Sequence, residues 1–145
     1  MANPEIRQIE HNSPEYWEMV ELRDRVLRRP IGLELDRSGL MEEDYEFHIA
    51  VFLDEVPVGG LILRPLSEIR LKMRAVAIDD GYRDLGLGSK LVNFAEEFAR
   101  ERGFNEMELN AREPAFRFYE KLGYEKISAD FIEVGIPHAL WLKHL

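Results

Sequence analysis

The stretch Val76-Ala77-Ile78-Asp79-Asp80-Gly81-Tyr82-Arg83-Asp84-Leu85-Gly86-Leu87-Gly88-Ser89-Lys90-Leu91 reads as a strand, a glycine-rich turn and the start of a helix. Ala75 to Ile78 is a short apolar run suited to a buried strand, and Asp79-Asp80-Gly81 breaks it. From Leu87 the apolar residues Leu87, Leu91, Phe94, Ala95 and Phe98 recur at helical spacing. A glycine-rich turn entering a helix suits an anion. Missing side chains let backbone amides approach, and unpaired N–H groups at the helix N-terminus point outward. Arg83 adds a positive charge suited to bidentate phosphate contact. These residues alone predict a bound phosphate or pyrophosphate. The bland alternative is a helix N-terminus whose glycines only permit tight packing.

The spacing is not Gly-x-x-x-x-Gly-Lys-Ser/Thr, nor Gly-x-Gly-x-x-Gly, so neither nucleotide motif is supported. Arg83-x-x-Gly86-x-Gly88 after a strand resembles the acetyl-CoA pyrophosphate loop of the GNAT acetyltransferase superfamily. The resemblance implies that Arg83, Asp84, Leu85, Gly86, Leu87, Gly88 and Ser89 cradle the pyrophosphate of acetyl-CoA. It also implies that main-chain groups of Val76, Ala77 and Ile78 bind the pantetheine arm.

Upstream, Glu5 to Glu10 reads as a first strand. Ser13 and Pro14 suit an N-cap and first position for an amphipathic helix from Tyr16 to Leu27, which Arg28-Arg29-Pro30 should end. Gly32 to Asp44 reads as a loop or short helix covering a site. Phe47 to Leu53 and Val56 to Leu63 form a predicted hairpin about Asp54-Glu55, and Gly59-Gly60 marks a bulge or a close backbone approach. Ile69 to Ile78 is the next strand, its pattern permitting a bulge near Arg74 to Val76.

Downstream, the helix should run to about Arg102, with Gly103 beyond it. Met107 to Asn110 is a strand, and Glu113-Pro114 opens a helix to Leu122, closed by Gly123. Tyr124 to Ala129, Phe131 to Val134 and Ala139 to Leu145 read as short strands broken by Gly135-Ile136-Pro137. The order predicts an α/β (α+β mixed) domain, 1–145 as a single unit, with a curved, mostly antiparallel mixed sheet and helices on both faces. The strand–helix–strand crossover should be parallel. This is similar to the GNAT acyl-CoA N-acyltransferase fold over nearly the full chain.

A second motif strengthens the resemblance. Asn110-Ala111-Arg112-Glu113-Pro114-Ala115-Phe116-Arg117-Phe118-Tyr119-Glu120-Lys121-Leu122-Gly123-Tyr124 resembles the family segment that carries a tyrosine near the CoA sulfur, then a Gly-aromatic pair. The resemblance makes Tyr119 the general acid for the leaving thiolate, and a further contact to the cofactor. A tyrosine packed in the core is the plain alternative. Asn110 is a candidate polar contact to pantetheine or substrate, or a turn former. Phe131 to His138 resembles the terminal segment of a bacterial subgroup typified by ElaA. That puts His138 first among candidate bases, ahead of Glu113, His48 and Glu34, though a histidine after Gly-x-Pro can simply anchor the turn.

Composition bounds the rest. The chain has 145 residues, 46% hydrophobic, enough to bury a core. It has no cysteine, so no disulfide, thiolate nucleophile or thiolate metal site. The four histidines show no metal-ligand spacing, and no metal is expected. A net charge of −9 argues against nucleic acid as the main partner. No apolar run is long enough to cross a membrane, and Met1 to Glu5 lacks a signal-peptide core, so a cytoplasmic protein is expected. The resemblance implies an N-acetyltransferase moving an acetyl group from acetyl-CoA to a small amine or peptide amine. The alternatives are a non-catalytic acyl-CoA-binding sensor and a phosphate-binding domain. A terminal strand pairing across a homodimer is a further expectation.

Overall fold

The computed structural model describes residues 3–145; Met1 and Ala2, part of the segment read above as lacking a signal core, lie outside them. Its contacts divide the chain into two compact units, residues 3–64 with 75–95, and residues 65–74 with 96–145.

In the first unit β1 (Glu5–Ile9) pairs antiparallel with β2 (Phe47–Leu53), and β2 with β3 (Val56–Pro65). Asp54 and Glu55 take φ of 48° and 67°, as a two-residue hairpin turn requires. The β2–β3 register shifts between Val51 and Phe52, opposite Gly59 and Pro57. That bulge and the glycines answer the sequence expectation in both its forms. A Cβ on Gly59 would stand 2.8 Å from the Ala77 carbonyl, and one on Gly60 2.7 Å from the Ile49 carbonyl. The last residues of β4 (Arg70–Ile78) follow β3 in the strand order, and the Asp79 amide donates to Val58 O at 2.8 Å.

Ser13 caps α1 (Pro14–Arg23), its hydroxyl accepting from the Tyr16 amide. Tyr16, Met19, Val20 and Leu22 pack with Ile9, Ala50, Phe52 and Ala77. Val51, between Ala50 and Phe52, joins Val58 and Leu87 instead. Successive side chains of a strand point to opposite faces. Helices therefore cover both faces here, α1 one and the start of α2 (Leu87–Glu101) the other.

Arg28-Arg29-Pro30 does not end the helical path as expected. A π turn (Asp24–Arg28) and a 3₁₀ turn (Arg29–Ile31) continue it to Gly32, which takes φ 78°. Pro30 sits in the first turn, where its missing N–H is not needed. Residues 33–39 have no regular structure, and a 3₁₀ stretch covers Leu40–Tyr45.

In the second unit β4 runs parallel to β5 (Glu106–Arg112), Leu71 facing Met107. β5 pairs antiparallel with β8 (Ile136–His144), whose other edge takes β6 (Glu125–Lys126) and β7 (Phe131–Glu133). The fold is mixed α/β with mostly antiparallel strands. A 3₁₀ turn (Glu113–Ala115) leads into α3 (Phe116–Lys121), and Gly123 follows with φ 94°. Glu96 is buried, accepting from Tyr124 Oη at 2.8 Å and Lys143 Nζ at 3.0 Å.

Two expectations need correction here. The break falls at Val134-Gly135, with φ of 47° and 75°, so of Gly135-Ile136-Pro137 only Gly135 belongs to it and β8 already starts at Ile136. Pro137 lies within β8 but outside the β5 ladder, which begins at His138, so no donor is missed there. The stretch from Tyr124 to Ala129 keeps only Glu125–Lys126 as strand.

Candidate active site

The quoted stretch folds as read. Ala75 takes φ 55°, inside β4, a left-handed conformation rare for a residue with a Cβ. It marks the bulge expected between Arg74 and Val76, and the strand resumes through Val76, Ala77 and Ile78. Ala77 is buried against α1, while Val76 and Ile78 remain half-buried.

At the strand end, the Asp79 side chain accepts from the Asp80 amide at 3.0 Å, and its carbonyl accepts from Tyr82 N at 2.9 Å. Arg25 grips Asp79 with two nitrogens, Nη2 at 2.8 Å and Nε at 3.4 Å. Arg83, Asp84, Leu85 and Gly86 are exposed, with Arg83 paired to Asp80 at 3.0 Å. Asp84 and Gly86 take φ of 64° and 74°. A Cβ on Gly86 would meet nothing within 4 Å, so the space above that turn is open. Leu87 is buried and pins the turn to the core.

The Lys90 amide bonds to Gly86 O at 3.3 Å, the opening bond of α2. The amides of Leu87, Gly88 and Ser89 precede it and lack a carbonyl four residues back. The first turn of α2 holds no acidic residue. Such an end accepts an anion, with Arg83 alongside. The structure thus brings the strand and the loop together in the first unit. These residues fit a pyrophosphate-bearing ligand: open space, exposed backbone and an exposed arginine, Arg83, whose present partner is the equally exposed Asp80.

The second unit holds Asn110, Tyr119 and His138. Asn110 is half-buried on β5, opposite Leu140. Tyr119 is buried, its ring 4.9 Å from that of Phe118 and 5.8 Å from that of Tyr124. No protein group accepts from its hydroxyl among the described residues. Burial pushes its phenol well above the usual value. The group therefore keeps its proton at neutral pH, at some cost in acid strength.

His138 is buried, stacked on Phe131 and placed on β8 across from Arg112. Its Nδ1 lies 2.7 Å from Ile136 O and its Nε2 3.4 Å from Glu133 Oε2. A carbonyl cannot donate, so Nδ1 carries a proton, and in the neutral ring Nε2 keeps the lone pair. Of the other candidate bases, Glu34 and Glu113 are exposed, and His48 is buried with Nε2 2.9 Å from Glu43 O. Burial holds the His48 pKa below its usual value.

Sequence reasoning missed a buried cluster in the first unit. Arg23 and Glu43 form a two-point pair with both contacts at 3.0 Å, and Tyr16 donates to Glu43 at 2.7 Å. One signal was present: Arg23 continues the buried stripe of Tyr16, Met19 and Val20.

The model of the Acetyltransferase (GNAT) family matches residues 4–124. The chain belongs to that family. Membership makes it an acetyl-CoA-dependent acetyltransferase. It is 35% identical over 114 residues to a Bacillus subtilis (strain 168) protein named as an acetyltransferase, spanning 79% of this chain and 76% of that one. It superposes on the crystal structure of an N-acetyltransferase-named protein from Lactobacillus plantarum with a TM-score of 0.88 and 26% identity, covering 98% of each chain. Against Escherichia coli ElaA the TM-score is 0.85 at 17% identity, with 98% of this chain and 100% of ElaA covered, a likeness of fold. Among the described residues no group of three His, Cys, Asp or Glu is placed to hold a metal, and no helix is long and apolar enough to cross a membrane.

Proposed function

We propose that this GNAT member moves the acetyl group of acetyl-CoA to the nitrogen of a primary amine, by direct attack while both substrates are bound. The observation that carries this reading is the first unit's strand, loop and helix. The bulge at Ala75 is followed by half-buried strand, then an open turn at Gly86 and free amides at the start of α2. Val76 to Ile78 would line the pantetheine arm, and Arg83 to Ser89 the pyrophosphate.

In the reaction the amine nitrogen bonds to the thioester carbonyl carbon and the C–S bond breaks. The sulfur leaves with the electron pair and takes a proton from Tyr119. The nitrogen gives up its own proton to His138 Nε2, directly or through water. Asn110 is assigned a polar contact to pantetheine or amine. The cysteine-free chain offers no thiol nucleophile, which favours direct transfer over an acyl-enzyme.

Calorimetric titration with acetyl-CoA tests the first half. Micromolar binding, about −8 kcal/mol, is expected; absence of binding at saturating ligand would overturn it. A second reading, a non-catalytic acyl-CoA sensor, is favoured by the packing of Tyr119 among aromatic rings. Acetyl-CoA binding without turnover on any amine would select it.

A further inference from the structure

The last hairpin of the second unit sets two proton acceptors against each other. Val134 and Gly135 turn β7 into β8, and the register puts Phe131 opposite His138 and Glu133 opposite Ile136. Phe131 stacks on the His138 ring, and Glu133 Oε2 reaches to 3.4 Å from His138 Nε2. His138 Nδ1 is committed to Ile136 O at 2.7 Å, so in the neutral ring Nε2 offers a lone pair. An ionised carboxylate only accepts. The two groups repel each other unless a donor serves both. Glu133 has no other hydrogen bond or ion pair among the described residues. Its side chain is 49% exposed and that of His138 5%, so solvent reaches the pair from the carboxylate side.

Strand alternation places this pair on one face of the sheet. Trp141 and Lys143 point the other way, toward α3 and its end, where Trp141 meets Phe116 and Lys143 donates to Leu122 O. His138 and Leu140 share their face with Asn110 and Arg112 of β5. Asn110, Arg112 and Leu140 are only half-buried, so that face is not sealed, and Arg112 is itself engaged.

A primary ammonium suits the pair, being a cation for the carboxylate with an N–H for each acceptor. A carboxylate or phosphate would add a further acceptor, and an alcohol has one proton for two. We infer that Glu133 binds the acceptor in its ammonium form and holds it against His138 Nε2. The inference rests on the proposed acetyl transfer with His138 as base. One N–H bond of the ammonium breaks and its proton passes to Nε2. The electron pair stays on the nitrogen, which then attacks the thioester carbon. The positive charge moves from ammonium to imidazolium, and Glu133 faces it in both states. The acceptors selected are basic primary amines that arrive charged.

The test uses the whole chain saturated with CoA. CoA binding is measured first, and its absence would bring down the proposed function together with this inference. Butylamine and 1-butanol, alike in length, are then titrated at neutral pH. NMR follows the ring nitrogens of His138, assigned through His138→Gln. Butylamine should move the Nε2 resonance at concentrations at least about tenfold below those of 1-butanol, the margin of one charge-assisted hydrogen bond. Glu133→Gln removes the charge at nearly constant shape, and its amide N–H can occupy the Nε2 lone pair. It should abolish the preference while CoA affinity stays unchanged. On any amine that is turned over, it should raise KM at least about tenfold and lower kcat by less. A doubly protonated His138 ring in the unliganded protein would overturn the inference. So would an Nε2 resonance that butylamine leaves unmoved, equal effects of the two probes, or a preference that survives Glu133→Gln. With CoA bound, each of those results leaves acetyl transfer standing and removes only the role of Glu133. If Glu133→Gln fails to fold, the two probes on the unaltered protein decide alone.

Discussion

Arg25, from the π turn after α1, reaches Asp79 at the end of β4 with a 2.8 Å bond to Oδ2 and a longer 3.4 Å bond to Oδ1. The same carboxylate caps the turn that leads to the glycine loop, so a single side chain sets where that loop starts. Arg25 is about half exposed, and an exposed pair contributes little, ~0.2–1 kcal/mol. The cap matters more. Asp79→Ala should lower stability by about 1 kcal/mol and weaken acetyl-CoA several-fold. Arg25→Ala should leave both nearly unchanged. Thermal unfolding and calorimetry on the two variants measure the difference.

Gly59→Ala should destabilise by roughly 1–3 kcal/mol, because the new methyl meets the Ala77 carbonyl, which cannot swing aside. Ala77 belongs to the strand assigned to pantetheine, so acetyl-CoA affinity should fall as well. Urea unfolding with a parallel titration checks both. A stable variant with full affinity would remove that strand from the site.

Tyr119→Phe removes one oxygen with no described protein partner. The fold and the acetyl-CoA affinity should persist, while turnover falls by about 10²–10⁴. Steady-state kinetics on any accepted amine decides. Unchanged turnover would return Tyr119 to the core as packing alone.

The pH dependence of stability has two predicted edges. Burial holds the His48 pKa below its ordinary value of 6.5. Below that pH the unfolded chain binds a proton that the folded chain refuses, so stability should fall as pH drops through 6.5 and beyond. His48→Gln should flatten that slope. Burial raises Tyr16, Tyr119 and Tyr124 above their ordinary 10.0. Above that value the unfolded chain loses protons the folded chain keeps, and stability should fall again. Denaturant midpoints across pH map both edges.

Lys143 is the cation beside the buried Glu96 carboxylate, at 3.0 and 3.1 Å. Lys143→Met should cost about 3 kcal/mol, because it strands a charge in the interior. Adding Glu96→Gln should restore part of the loss. Equilibrium unfolding of the single and double variants measures the coupling.

The main lines were legible because they rest on local chemistry. Ser13-Pro14 starts α1, Asp54-Glu55 turns the first hairpin, and Gly103 and Gly123 follow helices, each with positive φ. The turn into α2 was readable because a glycine, Gly86, stands where the chain takes a positive φ just before Leu87. Arg29-Pro30 misled, because a proline in the first turn of a helical segment breaks nothing. Pro137 misled for a related reason: only the neighbouring ladder reveals that its N–H is not needed. The positive φ at Ala75 was hidden, since alanine gives no sign of it and tertiary packing imposes it. The Arg23–Glu43–Tyr16 cluster joins residues far apart in the chain, which no local pattern links.

Residues 33–39 lack helix or strand, yet fixed points hold them. Asp24 takes the Leu35 amide at 2.8 Å, Glu21 takes Arg37 at 2.8 Å, and Leu40 O receives His11 and Tyr16. The exposed side chains of Leu33, Glu34 and Ser38 lie between those anchors. Mutation can rewrite them without loosening the frame, so descendants of this chain could acquire new selectivity there while inheriting the same scaffold.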